Sequence, residues 1–293
     1  MHAPALEQTL TKPRQPEPVR LGPAPTTASR PRRRRKADRW ERIASAPGLG
    51  FLVPLLVLGI WSLASAREWL PPNILPSPVA VAHSFADLIS GGDLLSNLGT
   101  SLLRVLKGFL LGGSIGLVLG CAMGFSPVVE SWIGPLFRAI AQIPSIALIP
   151  LLIQFLGIDE ALKLFIMAKS CAIPITFTSS DGIRNIPVQY IEVGKVLRLR
   201  RRTILRRVIL PGALPSLFTG IRQGLSHVWV SLVAVEILAS TEGIGYLMSW
   251  GRQIFQLDQV FVCIVVIGLV GFLFDFGLRR AEARLLRWKG EAA

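Results

Sequence analysis

Long uncharged apolar runs, separated by short polar segments, recur along most of this chain. The first extends without a charge from Ile43 to Ala66. A run of about 20 apolar residues is what an α-helix needs to cross the hydrocarbon core of a bilayer. The runs predict an all-α polytopic membrane protein with six transmembrane helices in residues 43–293. The predicted spans are residues 48–66, 102–123, 131–156, 161–180, 212–238 and 260–278.

Two shorter segments between these spans are also predicted to be helical. Residues 79–95 follow a proline-rich stretch and indicate a surface helix with a break at Gly91-Gly92. Residues 241–255 form an amphipathic segment on the outer side. The third span is expected to be kinked or broken, because proline removes a helical hydrogen bond and three prolines lie in it: Pro135, Pro144 and Pro150.

Glycines recur along the second span at steps of four residues, which places them on one face of a helix. Small residues at that spacing let two helices approach closely in lipid. The contact that they predict lies either within one subunit or between two subunits, and the sequence leaves both open. The series is Gly108, Gly112, Gly116, Gly120 and Gly124, with Gly113 beside it.

Two basic residues, Arg104 and Lys107, lie in the first turns of the same span. Long basic side chains near a helix end can extend along the apolar surface towards the lipid headgroups. We therefore expect both side chains to snorkel outward to the interface.

Four polar side chains within the predicted spans are candidates for the lining of a translocation path. Gln142 precedes a proline of the third span, and its alternative role is an interhelical hydrogen bond. Lys169, Arg222 and His227 could supply positive potential along the path of an anion. Their alternative role is a structural ion pair, for example with Glu236.

The distribution of charge indicates an orientation in the membrane. The 293 residues are 51% apolar and carry a net charge of +14. Of the lysines and arginines, 11 lie in residues 1–42, 8 in residues 184–211 and 5 after residue 278. The predicted outer loops hold only Arg67, Lys163 and Arg252. By the positive-inside rule, the protein is multi-pass with the N- and C-termini and the loop 184–211 in the cytoplasm.

Residues 1–42 are rich in proline and arginine and almost free of large apolar side chains, which predicts a disordered basic tail on the cytoplasmic side. The basic run at residues 32–36 favours a topogenic anchor over a nucleic-acid site, because an apolar span follows at once. No nucleic-acid partner is expected.

The sequence does not indicate chemistry carried out by this chain. It contains no GxxxxGK[ST] phosphate loop, no HExxH and no CxxC. Its three cysteines lie in separate apolar runs without metal-ligand spacing. We expect no catalytic residue, no metal site and no cofactor here. An intramembrane enzyme is disfavoured because the ionisable residues in the spans are few and scattered.

Residues 190–211 are the most charged segment after the tail and lie between two apolar runs. Apolar residues at spacings of three, four and seven predict a helix with one apolar face. Six arginines follow Lys195 up to and including Arg207. Composition alone leaves two interpretations open, a solvated cytoplasmic loop and an exposed helix that docks into a groove of another protein.

The spacing of residues in this loop resembles the EAA loop of ABC-importer permeases. The pattern of that family is Glu-Ala-Ala, three residues, Gly, nine residues, then Ile-x-Leu-Pro. In this sequence Glu192, Leu210 and Pro211 match it, and Val208 stands for the isoleucine. A glutamate followed at that distance by Leu-Pro between two spans is a specific signal.

Three further positions of the loop depart from the family pattern. Val193 and Gly194 stand where the family has two alanines, and Arg198 replaces the family's glycine. In the family that glycine lets the chain bend between two short helices. The resemblance therefore implies a docking loop, while the shape of its bend depends on what Arg198 does.

The resemblance covers nearly all of residues 75–288 and implies a type I ABC-importer permease fold, with a cytoplasmic coupling helix in a loop at about residues 184–211. It also implies the partners of such a permease. These are two cytoplasmic ATP-binding cassette ATPases, which bind the ATP, an extracytoplasmic solute-binding protein, and a second copy of the chain in the lipid bilayer. The implied location is the bacterial inner (plasma) membrane.

Within the family, several short motifs resemble the branch that imports aliphatic sulfonates, taurine and nitrate. We expect a permease for a small organic or inorganic anion, with aliphatic sulfonates favoured over taurine, nitrate or another small solute. The alternative from another functional class is a membrane scaffold or sensor that moves no solute. The motifs are Leu75-Pro76-Ser77-Pro78, Gly157-Ile158-Asp159-Glu160, Gly182-Ile183-Arg184-Asn185, Ile209–Pro215 and Gly243-Ile244-Gly245-Tyr246.

Overall fold

The computed structural model describes residues 49–71 and 74–286, and every regular element in those residues is a helix. The expected disordered tail, residues 1–42, lies outside them. The chain divides into two units between Val57 and Leu58, and all helices after the first belong to the second unit. In chain order the helices are α1 (Leu49–Ala66), α2 (Pro78–Ser90), α3 (Asp93–Phe125), α4 (Pro127–Gln142), α5 (Ile149–Leu156), α6 (Glu160–Arg184), α7 (Val188–Val196), α8 (Arg201–Ile204), α9 (Leu210–Ala239), α10 (Ile244–Gln253) and α11 (Leu257–Leu285).

The order of apolar helices follows the predicted order of spans. Among the described residues, four helical segments are long and apolar enough to cross a membrane, namely α3, α6, α8 with α9, and α11. The pair α4 and α5 passes the same criterion together, and α1 is a shorter apolar helix. The fold is therefore all-α and polytopic, as the apolar runs predict.

The third span is broken where its prolines predict. Helix α4 ends at Gln142, and one turn of 3-10 helix, Ile146–Leu148, connects it to α5. The two parts meet at an angle of 81°. Pro144 lies in the break itself and has no N–H to continue the hydrogen bonds of α4.

The break at Gly91-Gly92 is also present, but the helix after it begins earlier than expected. Ser77 starts α2 by accepting a hydrogen bond from the Ala80 N–H at 3.1 Å. Gly92 then adopts a φ of 83°, a conformation that glycine reaches without cost, and α3 starts at Asp93. Leu95, expected in the surface helix, therefore belongs to the long helix α3.

The glycine series of α3 packs against α6 of the same chain, which decides between the two expected kinds of contact. A Cβ added at Gly116 would lie 2.7 Å from the carbonyl oxygen of Ala172, and one at Gly120 would lie 2.7 Å from that of Thr176. The hydroxyl of Thr176 donates to the Gly116 carbonyl at 3.2 Å. The two backbones are therefore in direct contact, with no room for a side chain between them.

Helix α6 is packed equally closely on its other side, against α9. A Cβ at Gly224 of α9 would lie 2.9 Å from the Ile175 side chain, and one at Gly182 of α6 would lie 2.7 Å from Ser216. Helix α6 is thus held between α3 and α9 by small residues on both faces. These three helices form the rigid centre of the second unit.

The segment from Gly112 to Gly116 also matches the G-x-S-x-G pattern of hydrolase nucleophile elbows. That motif requires a sharp turn from a strand into a helix. Here the serine lies in the middle of α3, so the match carries no catalytic meaning.

The adjacent glycines Gly112 and Gly113 offer a matched test of this packing. A Cβ at Gly112 would collide with the carbonyl oxygen of Ala168, whereas one at Gly113 would meet only the Ile175 side chain, at 3.6 Å. We expect Gly112→Ala to destabilise the fold by about 2 kcal/mol, the usual scale for overpacking. Gly113→Ala should leave stability nearly unchanged. The thermal unfolding midpoints of both variants in detergent measure this, and equal midpoints would contradict it.

Candidate functional site: a coupling loop and a buried charge cluster

The residues that match the EAA loop lie in the connection between α6 and α9. Helix α7 carries Glu192, Val193 and Gly194, while Leu210 and Pro211 form the first turn of α9. The structure therefore gathers all of these predicted positions into one segment that joins two closely packed helices.

Helix α7 has one packed face and one open face. Gly194 is buried, and a Cβ there would lie 3.1 Å from Ile204 of α8. Glu192 and Val193 are exposed, and Val196 is 81% exposed. No carboxylate–cation pair involves Glu192 within residues 49–71 and 74–286. The open face thus presents apolar side chains and one unpaired carboxylate, which suits a protein partner.

Helix α7 ends in a Schellman motif, and Arg198 occupies its left-handed position. The Arg198 N–H donates to the Lys195 carbonyl at 2.9 Å, and the Leu199 N–H donates to the Gly194 carbonyl at 3.0 Å. Arg198 has a φ of 52°. This is the position at which the family pattern has glycine. The arginine therefore keeps the bend that the resemblance implies, at a cost of about 1 kcal/mol relative to glycine.

A cleft of about 590 Å³ lies between α7 and the start of α9. Tyr190, Val193 and Leu197 line one side, and Pro211 lines the other. Arg207 also lines the cleft. All six arginines of the loop are exposed, and none of them forms an ion pair with another described residue. The loop therefore offers both apolar contacts and unneutralised positive charge.

Proline shapes the entrance to α9. Residues Leu205–Ile209 form a π-helical turn before Leu210. Pro211 lacks the N–H that would bond to the carbonyl four residues earlier, so the helix adjusts its register there. The Leu-Pro pair of the motif thus fixes how the loop joins α9.

The predicted path residue Lys169 binds the broken third span. Its ammonium donates to the Ile143 carbonyl at 2.7 Å, just after the end of α4, and lies 3.5 Å from the Ser145 hydroxyl. A cation at the C-terminus of a helix satisfies free carbonyls and complements the helix dipole. Gln142, the last residue of α4, is exposed beside this contact. The structure thus brings Gln142 and Lys169 to the same break.

Serine hydroxyls extend this polar contact to α9. Ser170 donates to Ser145 at 2.9 Å, and Ser231 of α9 donates to Ser170 at 2.7 Å. Three helical segments therefore meet through hydroxyl groups next to the break. His227, one turn away from Ser231 on α9, is exposed.

Arg222 is in a different setting from the other path candidates. Its guanidinium forms an ion pair with Glu282 of α11 at 3.1 Å. Glu236, the carboxylate considered as a partner for Lys169, Arg222 or His227, pairs with none of them among the described residues. The four path candidates therefore do not form one cluster.

Arg104 does not snorkel, so that expectation is wrong. It is 2% exposed and bridges three segments, with its guanidinium 2.6 Å from Glu160 of α6 and 3.0 Å from Glu236 of α9. It also donates to the Glu242 carbonyl at 2.8 Å. The buried carboxylate of Glu236 and the more exposed ones of Glu160 and Glu242 stabilise the charge better than the distant interface does. Lys107 is exposed.

Lys163 is also part of this cluster rather than of an outer loop. It lies in the first turn of α6, is 3% exposed, and pairs with Glu160 at 3.0 Å. The cluster thus contains two cations and the carboxylates of Glu160, Glu236 and Glu242.

Glu236 is a fully buried residue of α9, and its carboxylate binds the N-terminus of α10. It accepts hydrogen bonds from the Ser101 hydroxyl at 2.9 Å and from the Gly245 N–H at 3.0 Å. Ser101 in turn accepts from the Ile244 N–H at 2.9 Å. A Cβ at Gly243 or Gly245 would collide with Glu236, and Gly243 has a φ of 110°. The Gly243-Ile244-Gly245 motif is explained by this carboxylate.

Sequence reasoning missed this cluster as a unit, although signals for it were present. The sequence shows a glutamate within an apolar span and two glycines that follow it closely. It also shows a serine and an arginine three residues apart on α3. Their convergence was not visible, because Arg104 and Glu236 are 132 residues apart.

The bend at Arg198 can be tested with two substitutions. Arg198→Gly should preserve the loop and raise the free energy of unfolding by about 1 kcal/mol, since glycine adopts this φ without penalty. Arg198→Val should open the bend, because a β-branched residue resists the left-handed conformation. Hydrogen exchange of the Leu199 amide distinguishes them, and equal protection in both variants would contradict the assignment.

The buried cluster should be far more sensitive than a surface ion pair. Arg104→Met leaves the fully buried Glu236 without its cation, and we expect a loss of about 3–5 kcal/mol. Arg279→Met removes an exposed pair with Asp275, and should cost at most about 0.5 kcal/mol. Chemical unfolding in detergent measures both. Similar losses for the two variants would show that the cluster is not structural.

Comparison with known proteins agrees with this arrangement. The family model described as binding-protein-dependent transport system inner membrane component matches residues 112–287. A protein named aliphatic sulfonates transport permease in Escherichia coli (strain K12) is 38% identical over 238 residues, covering 81% of this chain and 90% of that protein. Its namesake in Bacillus subtilis (strain 168) is 34% identical and covers 82% of this chain and 87% of that protein.

A third relative and one solved structure extend the comparison. The taurine transport system permease of Escherichia coli (strain K12) is 30% identical, covering 80% of this chain and 88% of that protein. The inward-facing MetNI methionine ABC transporter has a chain with a TM-score of 0.54 at 18% identity, covering 62% of this chain and 93% of that chain. This last likeness concerns the fold alone. The chain belongs to the family of binding-protein-dependent transport system inner membrane components, the non-ATPase permease subunits of ABC transporters.

Proposed function

We propose that this chain forms the translocation path of an ATP-driven importer for small anions, with aliphatic sulfonates as its solutes. The observation that carries the proposal is the exposed face of α7, which holds Glu192 and lies in the connection between the closely packed helices α6 and α9. In this proposal two cytoplasmic ATPases dock on the α7 helices of two permease copies. An extracytoplasmic solute-binding protein delivers the solute.

The packing supports a mechanical role for this loop. Helix α6 enters it and α9 leaves it, and both are in backbone-level contact with their neighbours through glycines. A displacement of α7 would therefore move α6, α9 and α3 together, since close-packed interfaces do not deform gradually. The N- and C-termini lie in the cytoplasm, on the same side as the basic loop.

The exposed polar side chains of α9 support a homodimer. Gln223, Ser226 and His227 are exposed on one face of α9, in a segment that is long and apolar enough to cross a membrane. Polar groups in contact with lipid are costly, so this face is covered by water or by protein. A second copy of the chain, enclosing a water-filled path against this face, meets that requirement.

An anionic solute fits the charge within the spans. Lys169 has no carboxylate within 4.0 Å among the described residues. Its charge is offset only by carbonyl and hydroxyl groups, so an anion in the path would gain from it. Gln142 lies beside it, and His227 lines the path on α9. Arg222, neutralised by Glu282, acts on the path more weakly.

The aliphatic sulfonate proposal draws on relatives named as sulfonate permeases at 34% and 38% identity, against 30% for the taurine relative. Reconstitution with the cognate ATPase and binding protein in liposomes tests it. ATP-dependent entry of labelled ethanesulfonate is expected, with weaker competition by taurine and nitrate. The rival class, a scaffold or sensor, predicts no ATP-dependent entry of any of these anions.

Replacing Glu192 by Ala should uncouple the ATPase from transport. The change removes the only carboxylate on the open face of α7 without disturbing a contact inside the chain, so the fold should be unaffected. We expect ATP-dependent uptake to fall at least about tenfold, the effect of losing one good charged contact. Lys195→Ala, on the same helix, is the control. Parent-level uptake and ATPase retention in Glu192→Ala would refute the docking role.

Lys169 can be tested for a role beyond capping α4. Lys169→Gln retains a donor for the Ile143 carbonyl but removes the charge, while Lys169→Met removes both. If the charge serves the solute, uptake falls in both variants, whereas assembly and thermal stability fall only in Lys169→Met. Full uptake by Lys169→Gln would leave Lys169 with the structural role alone.

A further inference from the structure

A cleft of about 340 Å³, away from the coupling loop, lies where the end of α1, the start of α2 and the start of α11 meet. Glu68 follows α1, Pro76 and Ser77 precede α2, and Phe255 and Asp258 lie at the entrance to α11. All these segments lie on the outer side in the proposed orientation. The cleft is distinct from the coupling loop, from the Arg104 cluster and from the break beside Lys169.

The walls of this cleft are fixed to one another. The Trp61 indole donates to the Pro76 carbonyl at 3.1 Å and stacks on Phe261 of α11 at 5.3 Å. The Ser84 hydroxyl of α2 donates to Asp258. The cleft is therefore a formed feature of the fold, and its shape does not depend on a bound partner.

Phe255 is held out into solvent by the backbone. It is 84% exposed and has a φ of 62°. The Gln256 N–H donates to the Gly251 carbonyl at 2.8 Å, which completes a Schellman motif at the end of α10. Glycine would adopt this conformation at a lower free energy, so the presence of phenylalanine here reduces the stability of the fold. An exposed, pre-oriented aromatic ring is the kind of anchor that dominates protein interfaces.

Glu68, on the opposite wall, has the same left-handed backbone conformation as Phe255. Its φ is 50°, and the Trp69 N–H donates to the Ala64 carbonyl at 3.1 Å, so α1 also ends in a Schellman motif. Glu68 is exposed and has no ion pair with another described residue. The cleft is therefore lined by two carboxylates, Glu68 and Asp258, and by no cation, although the protein as a whole is strongly basic.

We infer that this cleft receives a lysine or arginine side chain of the extracytoplasmic solute-binding protein. The aliphatic stem packs on the Phe255 ring, where a cation gains from the ring face, and the charged head pairs with Glu68. A cleft lined by carboxylates repels anionic lipid headgroups, which favours a protein occupant over the membrane surface. The inference rests on the proposed function and orientation, and it adds the recognition chemistry of one partner.

The test uses the permease–ATPase complex in nanodiscs, titrated with its cognate solute-binding protein. Phe255→Gly removes the ring and keeps the left-handed backbone, and Glu68→Gln removes the charge and keeps the size. We expect the Kd of the binding protein to rise about tenfold for Phe255→Gly. Glu68→Gln should raise it about threefold and weaken its dependence on salt. ATPase activity without binding protein should be unchanged in both.

Trp250→Ala is the matched control, because Trp250 is an exposed aromatic residue of α10 that does not line the cleft. Its Kd should equal that of the parent complex. Parent-like Kd values for Phe255→Gly and Glu68→Gln would overturn the inference while leaving the transport proposal intact. Quenching of a Phe255→Trp probe by brominated lipids would also overturn it, since the ring would then lie in the bilayer. A parent complex that the binding protein neither binds nor stimulates would refute the proposed function itself.

Discussion

A single buried guanidinium, that of Arg104, ties together the ends of α6 and α9 that lie away from the loop carrying α7. Glu160 is the first residue of α6 and Glu236 is in the last turn of α9, and both bind Arg104 on α3. The same two helices are joined at their other ends by the loop that carries α7. A buried ion pair of this kind contributes little net stability, but it strongly penalises arrangements that separate its members. Helices α6 and α9 are therefore fastened at both ends.

Between those two ends, the contact of backbone against backbone decides how the centre can move. Glycines on α3 and α9 bring both helices onto α6 with no flexible side chains between them. Such an interface has few alternative packings, so it transmits a displacement rather than absorbing it. Helices α4 and α5 are attached to this centre both by the hydrogen bonds beside Lys169 and by side-chain packing, with Ile149 of α5 in one apolar cluster with Ile166 of α6 and Val235 of α9. Helices α3, α6 and α9 are thus held together by backbone contacts, whereas α4 and α5 are joined to them through side chains.

Local features of the chain were predictable, and long-range ones were not. The break in the third span and the short helix between two spans could be inferred, since Pro144, Glu192 and the Leu210-Pro211 pair act on the backbone or surface near them. The glycine series was visible, but its partner helix was not. The role of Arg104 could not be inferred, because its carboxylates lie 56 and 132 residues away and a basic residue near a helix end also fits the interface. At Arg198 the family pattern indicated the bend, and only the backbone showed that arginine adopts it.

The angle of 81° between α4 and the helical segment after it limits the apolar depth that the broken span provides. The 16 residues of α4 extend about 24 Å, and a segment turned almost perpendicular adds little further depth. The hydrocarbon core of a bilayer is about 30 Å thick. Backbone that leaves a helix at membrane depth is tolerated where it faces protein or water, so this break suits a wall of the proposed path rather than a surface in contact with lipid. Lys169 holds the carbonyl end of α4, so the shortened apolar depth at this break is a fixed feature of the fold.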